Sequence, residues 1–205
     1  MRRRSEAKQY YEPLRYYVPY KNYTLYLIGI CVIVYFLQVL IRPFTSYFIL
    51  SGASLALQPW TLITHIFLHG SMGHLFFNML FLFFFGPALE RRVGSNKFLI
   101  IFLICGVLGG LGHILTSPDS AVLGASGALY GVLGALAILE PEMMIFIYFI
   151  PMKITYAVLF FAAFDILMAG SGDMIAHTAH LSGLVGGLLI GKYLEGSVGS
   201  RYHGR

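Results

Sequence analysis

Six apolar stretches separated by short polar turns dominate this chain, at residues 24–41, 72–89, 97–115, 126–139, 153–168 and 174–194. An α-helix rises about 1.5 Å per residue, so roughly twenty apolar residues cross a hydrocarbon layer about 30 Å thick. The first three stretches come close to that length. The fourth and fifth are shorter, which suits helices sheltered by protein neighbours rather than bathed in lipid. With 58% hydrophobic residues, 11% charged and a mean hydropathy of +0.75, the chain is too apolar for a soluble domain and too charge-poor for a disordered one. The expected fold is all-α and polytopic: a six-helix membrane domain at 23–195, between a basic tail at 1–22 and a short tail at 196–205.

Charge placement orients the bundle. The net charge of +5 does not form the aromatic-interleaved patch that a nucleic-acid surface requires, and no nucleic-acid partner is expected; the basic residues flank the apolar runs instead. An even number of spans puts both termini on one side. If that side is the cytosol, 13 of the 14 Lys and Arg lie inside and only Arg42 lies outside. Tyr16, Tyr17, Tyr20 and Tyr23 then settle at the headgroups beside a lipid bilayer. Cys31 and Cys105 fall inside spans and serve as small apolar fillers. No A-x-A-like site follows the first apolar run, so no cleavable leader is expected.

Residues 42–71 are too apolar for a free loop and too broken for a span, with Pro43, Gly52, Pro59, Trp60, His65 and His69. An embedded first outer loop, its backbone polar groups covered by protein, reconciles the two. Glycines then say which helices touch. Gly183, Gly187 and Gly191 repeat every fourth residue on the sixth span, as Gly127 and Gly131 do on the fourth and Gly106 and Gly110 on the third. Small residues at this spacing let backbones approach where no hydrophobic effect drives helices together. His180 falls within the stripe of the sixth span, so it faces the partner helix, and the fourth span is the expected partner.

Spans two, four and six all enter from outside, so His74, Asn78, Ser126 and His180, near their starts, share one depth. Polar side chains there are costly and by default functional or paired. Residue type suggests roles. Ser126 attacks a carbonyl, and His180 takes its proton and returns it to the leaving amine. His74 and Asn78, four residues apart on one helix face, aim N–H groups at a developing oxyanion, joined by the backbone at Ala125 and Ser126 at a helix start. Tyr130 lies one turn below Ser126 and packs against the imidazole, a task an aspartate performs in the usual triad. Asp165 lies near the outer end of the fifth span and could in principle orient His180 as a third member, but nothing in the sequence sets that span against His180, and the role is not the expected one. His65, His69 and His113 are expected to be structural, and Glu90 with Arg91 and Arg92 to form a cytosolic helix-end cluster.

These residues resemble the motifs of the rhomboid family of intramembrane serine proteases. The serine motif is Gly124-Ala125-Ser126-Gly127 with Tyr130 beyond it, and the histidine helix carries Ala179-His180-Leu181-Ser182-Gly183 and then Gly187. His69, His74 and Asn78 follow H-x4-H-x3-N; Gly86, Glu90 and Gly94 follow G-x3-E-x3-G. The resemblance covers roughly residues 24–194. It implies a rhomboid-like six-helix bundle with a Ser126/His180 dyad, His74 and Asn78 serving the oxyanion, and Tyr130 stacked on the histidine, with Gly124 and Gly127 lining the site. It further implies single-pass transmembrane protein substrates cut near the outer end of their helix. No cofactor and no metal are implied. The expected location is the cell membrane of a bacterium or archaeon, with the site opening to the extracytoplasmic side. Where many members carry Trp-Arg in the first outer loop, this chain has Trp60-Thr61, which leaves the anchoring of that loop open. His177 matches none of the motif residues.

Two other classes fit parts of the chain. One is an inactive relative that binds membrane helices without cutting them. The other is a histidine-rich metal or haem protein using His65, His69, His74 and His177. The number of copies in the working assembly is not legible.

Overall fold

The computed structural model describes residues 20–147, 149–169 and 175–200. Tyr16, Tyr17 and most of the basic tail lie outside these residues, as do the outer turn expected at 170–173, Met174 and residues 201–205. The first helix, α1 (Tyr23–Leu40), leads into a segment of three short helices, α2 (Phe44–Phe48), α3 (Gly52–Leu57) and α4 (Thr61–Thr64), closed by a 3-10 turn at His65–Phe67. Five longer helices follow: α5 (Met72–Val93), α6 (Ser95–Thr116), α7 (Ser126–Leu139), α8 (Ile154–Met168) and α9 (His177–Ser200). Helices α1, α5 and α6 are long and apolar enough to cross a membrane, and α7 and α8 are shorter apolar helices. The architecture is the helical, multi-pass membrane fold expected from the hydropathy pattern.

Helix α7 is the axis of the bundle, packed against α5, α6, α8 and α9. Burial runs almost without a break from Gly127 to Ala137, as its short length suggests. Helix α8 departs from that expectation. Its buried residues are Ile154, Ala157, Val158 and Asp165, while Leu159, Phe160, Phe164, Ile166 and Leu167 face outward, so it lies at the edge of the bundle. The α7–α9 contact is a close one. A methyl group added at Gly183 would overlap the Gly127 carbonyl, and one at Gly187 the Gly131 carbonyl, so the two glycine stripes bring backbone against backbone.

The segment between α1 and α5 is pinned at several points, which answers how it holds without the arginine. Leu50 pairs with Val122 in an isolated antiparallel bridge to the α6–α7 turn. Gln38 of α1 clamps His69 from both sides, accepting from its backbone N–H at 2.9 Å and donating to its carbonyl at 3.3 Å. Trp60 Nε1 donates to the Tyr47 carbonyl at 2.9 Å, and Thr64 Oγ1 to that of Phe48 at 2.9 Å. Thr61 is fully buried and returns its hydroxyl to the Gln58 carbonyl at 2.7 Å. Leu50, Ile66 and Leu68 point inward, while Leu57, Trp60 and Ile63 are exposed.

Glu90 corrects the helix-end reading. Its side chain is fully buried and caps α1 from across the bundle. Oε1 accepts from the Tyr23 backbone N–H at 2.7 Å and Ser95 Oγ at 2.6 Å, and Oε2 from Thr24 N–H at 3.0 Å and Thr24 Oγ1 at 2.8 Å. The first N–H groups of a helix have no internal acceptor, which is why a remote carboxylate is useful there. Arg92 instead pairs with Glu140 at 2.7 Å. Between α7 and α8, where a simple turn is expected, the chain forms an antiparallel hairpin of β1 (Met144–Ile147) and β2 (Ile150–Lys153), with Met144 opposite Lys153 and Ile147 opposite Ile150.

Candidate active site

Four helices contribute polar side chains at one end of the bundle. Ser126 opens α7 and Tyr130 follows one turn later; His177 and His180 open α9; His74 and Asn78 open α5; Asp165 stands near the end of α8. The backbone contact between the α7 and α9 glycines lies immediately below Ser126 and His180. It sets the two helices at the separation that lets one short and one long side chain meet. Ser126 Oγ lies 2.9 Å from His180 Nε2. The Tyr130 ring stacks on the His180 ring with centroids 4.3 Å apart and planes 12° from parallel.

Gly124, just before the serine, has φ +123°. The ring of His74 fills the space a side chain would take there, since a Cβ on Gly124 would sit 2.7 Å from His74 Cε1 and 2.8 Å from Nε2. A bare backbone in this left-handed conformation is what allows the imidazole to close over the start of α7. The Gly70 N–H points at His74 Nδ1 from 3.4 Å, a long contact that favours a lone pair on Nδ1 and the proton on Nε2, the atom facing Gly124. Asn78 Nδ2 donates to the His74 carbonyl at 2.8 Å, so one of its two N–H groups is committed to the helix and the other remains. Asn78 Oδ1 is buried without a hydrogen-bond partner. An open cavity of about 150 Å³ lies beside these groups, lined by Phe77, Asn78, Phe81, Ser126, Leu129 and Tyr130. Ala125 is fully buried behind the serine, and Gly127 faces the backbone of α6 and α9 at Gly109 and Ala179. The first N–H groups of α7 lack the carbonyl of a preceding turn and are donors for an anion at this point.

Asp165 corrects the expectation that it plays no part at His180. Its Oδ1 lies 3.0 Å from His180 Nδ1 and 2.6 Å from His177 Nδ1, with the carboxylate only 1% exposed. A sequence signal for it existed: Asp165 is the one charged residue of α8, and an acid inside an apolar span calls for a partner. What the sequence could not supply was the packing of α8 against the His180 face of α9.

The remaining histidines stay apart from this group. His65 is buried with Nδ1 2.9 Å from the Thr61 carbonyl, His69 packs edge-on against His74 at 5.1 Å, and His113 Nε2 meets Ser120 Oγ at 2.7 Å. Among the described residues, the one set of three metal-ligand side chains with donor atoms within 4.8 Å of one another is Asp165, His177 and His180. The combination of His65, His69, His74 and His177 is not brought to one point.

Comparison with known proteins bears on the family of the chain. A family model described as the rhomboid domain matches residues 56–196. Over 135 residues the chain is 36% identical to the putative rhomboid protease YdcA of Bacillus subtilis, covering 64% of this chain and 65% of that protein. It is 34% identical over 147 residues to the rhomboid protease GluP of Bacillus subtilis, covering 69% of this chain and 28% of the relative. With the rhomboid protease GlpG of Serratia proteamaculans it shares 33% identity over 176 residues, 82% of this chain and 60% of that one. The chain thus spans less than two thirds of the length of each of these relatives.

Proposed function

The chain belongs to the rhomboid family, and from that premise we propose that it is an intramembrane serine endopeptidase in which Ser126 is the nucleophile and His180 the general base. The observation that carries this reading is the 2.9 Å approach of Ser126 Oγ to His180 Nε2, with a cavity opening beside Ser126 and Asn78. Hydrogen-bond reach between a hydroxyl and an imidazole is what activates an otherwise weak nucleophile. The names of the relatives, as rhomboid proteases, support the same class of chemistry.

In the proposed reaction the Ser126 oxygen bonds to the scissile carbonyl carbon while its proton passes to His180 Nε2. The carbonyl oxygen, now negative, takes hydrogen bonds from His74 Nε2–H, the remaining Asn78 N–H and the N–H groups at Ala125 and Ser126. Collapse of the tetrahedral species breaks the carbon–nitrogen bond, and the leaving amine receives the proton from His180. Water then loses a proton to the same nitrogen, attacks the acyl-serine carbon and frees Ser126 with its proton restored. The Tyr130 ring, flat against His180, limits the imidazole to the plane from which it reaches Ser126.

The proposed substrates are single-pass transmembrane proteins, cut near the outer end of their helix. The apolar lining of Phe77, Phe81 and Leu129 supports an approach from the bilayer side. The placement of both termini in the cytosol and of the site toward the extracytoplasmic face belongs to the same proposal and rests on the charge bias; placement in a bacterial or archaeal cell membrane is supported by the bacterial relatives. Purified protein in detergent is expected to cleave a transmembrane substrate and to react with a fluorophosphonate at Ser126, with both activities lost in Ser126→Ala. Wild-type protein that neither cleaves nor labels, or a Ser126→Ala variant that cleaves at the wild-type rate, overturns it.

A further inference from the structure

The imidazole of His180 is held from both ends. Ser126 Oγ lies at Nε2, and Asp165 Oδ1 lies 3.0 Å from Nδ1. A carboxylate has lone pairs and no proton to give, so the hydrogen on this contact belongs to Nδ1. That tautomer leaves Nε2 with the lone pair that the Ser126 hydroxyl must meet. The opposite tautomer, with Nε2–H, cannot take the serine proton. We infer that Asp165 is a positioning residue for His180, turning the expected serine–histidine pair into a carboxylate–imidazole–hydroxyl chain, and that His177 shares in it by donating to the same carboxylate oxygen.

Three observations carry this beyond a chance contact. Asp165 is 1% exposed, so its charge has no water to satisfy it and must be met by protein donors. Both of its imidazole contacts fall on one oxygen, His177 at 2.6 Å and His180 at 3.0 Å, and His177 is itself 4% exposed. Finally, Asp165 is a lone buried residue in the outer half of a helix whose other buried residues, Ile154, Ala157 and Val158, cluster at the opposite end. In that half of α8 the carboxylate is joined at α9 by Phe164, whose ring meets that of His177 edge-on at 6.1 Å. The groups facing His180 are Asp165 from α8, Ser126 and Tyr130 from α7, His177 from its own helix and, at longer range, His74 from α5.

The inference rests on the serine-peptidase reading for its catalytic meaning, but its structural content is tested without turnover. In protein labelled with nitrogen-15 histidine, the His180 ring signals, identified by their loss in His180→Ala, report the tautomer directly. Wild type is expected to hold the proton on Nδ1. In Asp165→Asn an amide N–H can face Nδ1 and the proton moves to Nε2. An unchanged tautomer in Asp165→Asn overturns the inference whether or not the protein is a protease. Kinetics supply the second test. Asp165→Asn is expected to lower kcat on the order of 10²- to 10⁴-fold with KM nearly unchanged, since the group acts on the base and not on the substrate.

The acid limb of the rate profile separates positioning from simple loss of fold. It is expected at lower pH in Asp165→Asn, where the protonated imidazole has lost its counter-charge. In His177→Ala it is expected at higher pH, with kcat down by less than about tenfold, because the carboxylate then has one donor fewer and favours the protonated ring more strongly. Damage to packing alone lowers the fraction of protein that labels with fluorophosphonate and leaves both limbs in place, which would sink the inference. If wild type shows the expected tautomer but neither labels nor cleaves, the peptidase reading fails while the Asp165–His180 link stands.

Discussion

At the scale of single residues, the site depends on what is missing at position 124 as much as on what is present at 126. A methyl group on Gly124 would meet the His74 ring and would also have to adopt a backbone angle that side chains avoid. Gly124→Ala is therefore expected to slow cleavage at least tenfold by displacing His74, while fluorophosphonate labelling of Ser126 persists at a reduced rate; equal rates in wild type and variant would show that His74 does not serve the oxyanion. That Ser126, His180, His74, Asn78 and Tyr130 come together at one end of the bundle was legible from the sequence, because helical spacing and the glycine stripes set their depth and face. Asp165 was not. Periodicity says which residues share a face of one helix, but nothing in a single sequence says that α8 turns its acid toward α9. Glu90 escaped for the same reason: beside Arg91 and Arg92 it reads as part of a charged helix end, whereas its partners Thr24 and Tyr23 lie 66 and 67 residues away at the start of α1.

At the scale of elements, the distance between Ser126 Oγ and His180 Nε2 is set by how closely α7 and α9 approach. Gly187 tests this away from the chemistry itself. Alanine there overlaps the Gly131 carbonyl, so α9 must shift outward, and Gly187→Ala is expected to lower both the melting temperature in detergent and the labelling rate of Ser126. Gly196→Ala on the same helix meets nothing within 4 Å and is expected to leave both unchanged or to raise stability slightly, by up to about 1 kcal/mol from helix propensity. If the two variants behave alike, the contact does not control the site. Helix positions were readable to within a few residues from hydropathy. The β1–β2 hairpin was not, because Met144 to Lys153 lacks both the alternation of a half-buried strand and the glycine or asparagine of a tight turn. Phe149 takes a left-handed backbone angle there, φ 68°, which non-glycine residues seldom adopt.

At the scale of the whole molecule, the segment between α1 and α5 carries a built-in sensitivity to acid. His65 and His69 are buried in it, and burial pushes each down from the ordinary 6.5 to about 4. The unfolded segment binds protons as pH falls below about 6.5, but the folded one does not until about 4, so stability is full above that window and declines through it. The melting temperature in detergent is expected to fall steadily between pH 6.5 and 4, and His69→Leu to flatten part of the slope; a flat wild-type profile would contradict the burial of these rings. The embedded character of this segment was visible in its mixed composition, whereas its fastening by Gln38, Trp60 and Val122 depends on contacts that no spacing rule encodes.

The placement of Asp165 also bears on how the chain is made. A carboxylate within an otherwise apolar helix opposes entry into lipid by up to about 3 kcal/mol when it lies mid-helix, and by less toward an end. Its two imidazole partners belong to α9, which leaves the ribosome later. Helix α8 is therefore expected to have its charge met only once α9 is made, the two helices settling into the bilayer as a pair. In chains truncated after Met168, α8 itself is expected to be poorly retained in the bilayer, and in chains that include α9 it is expected to be held.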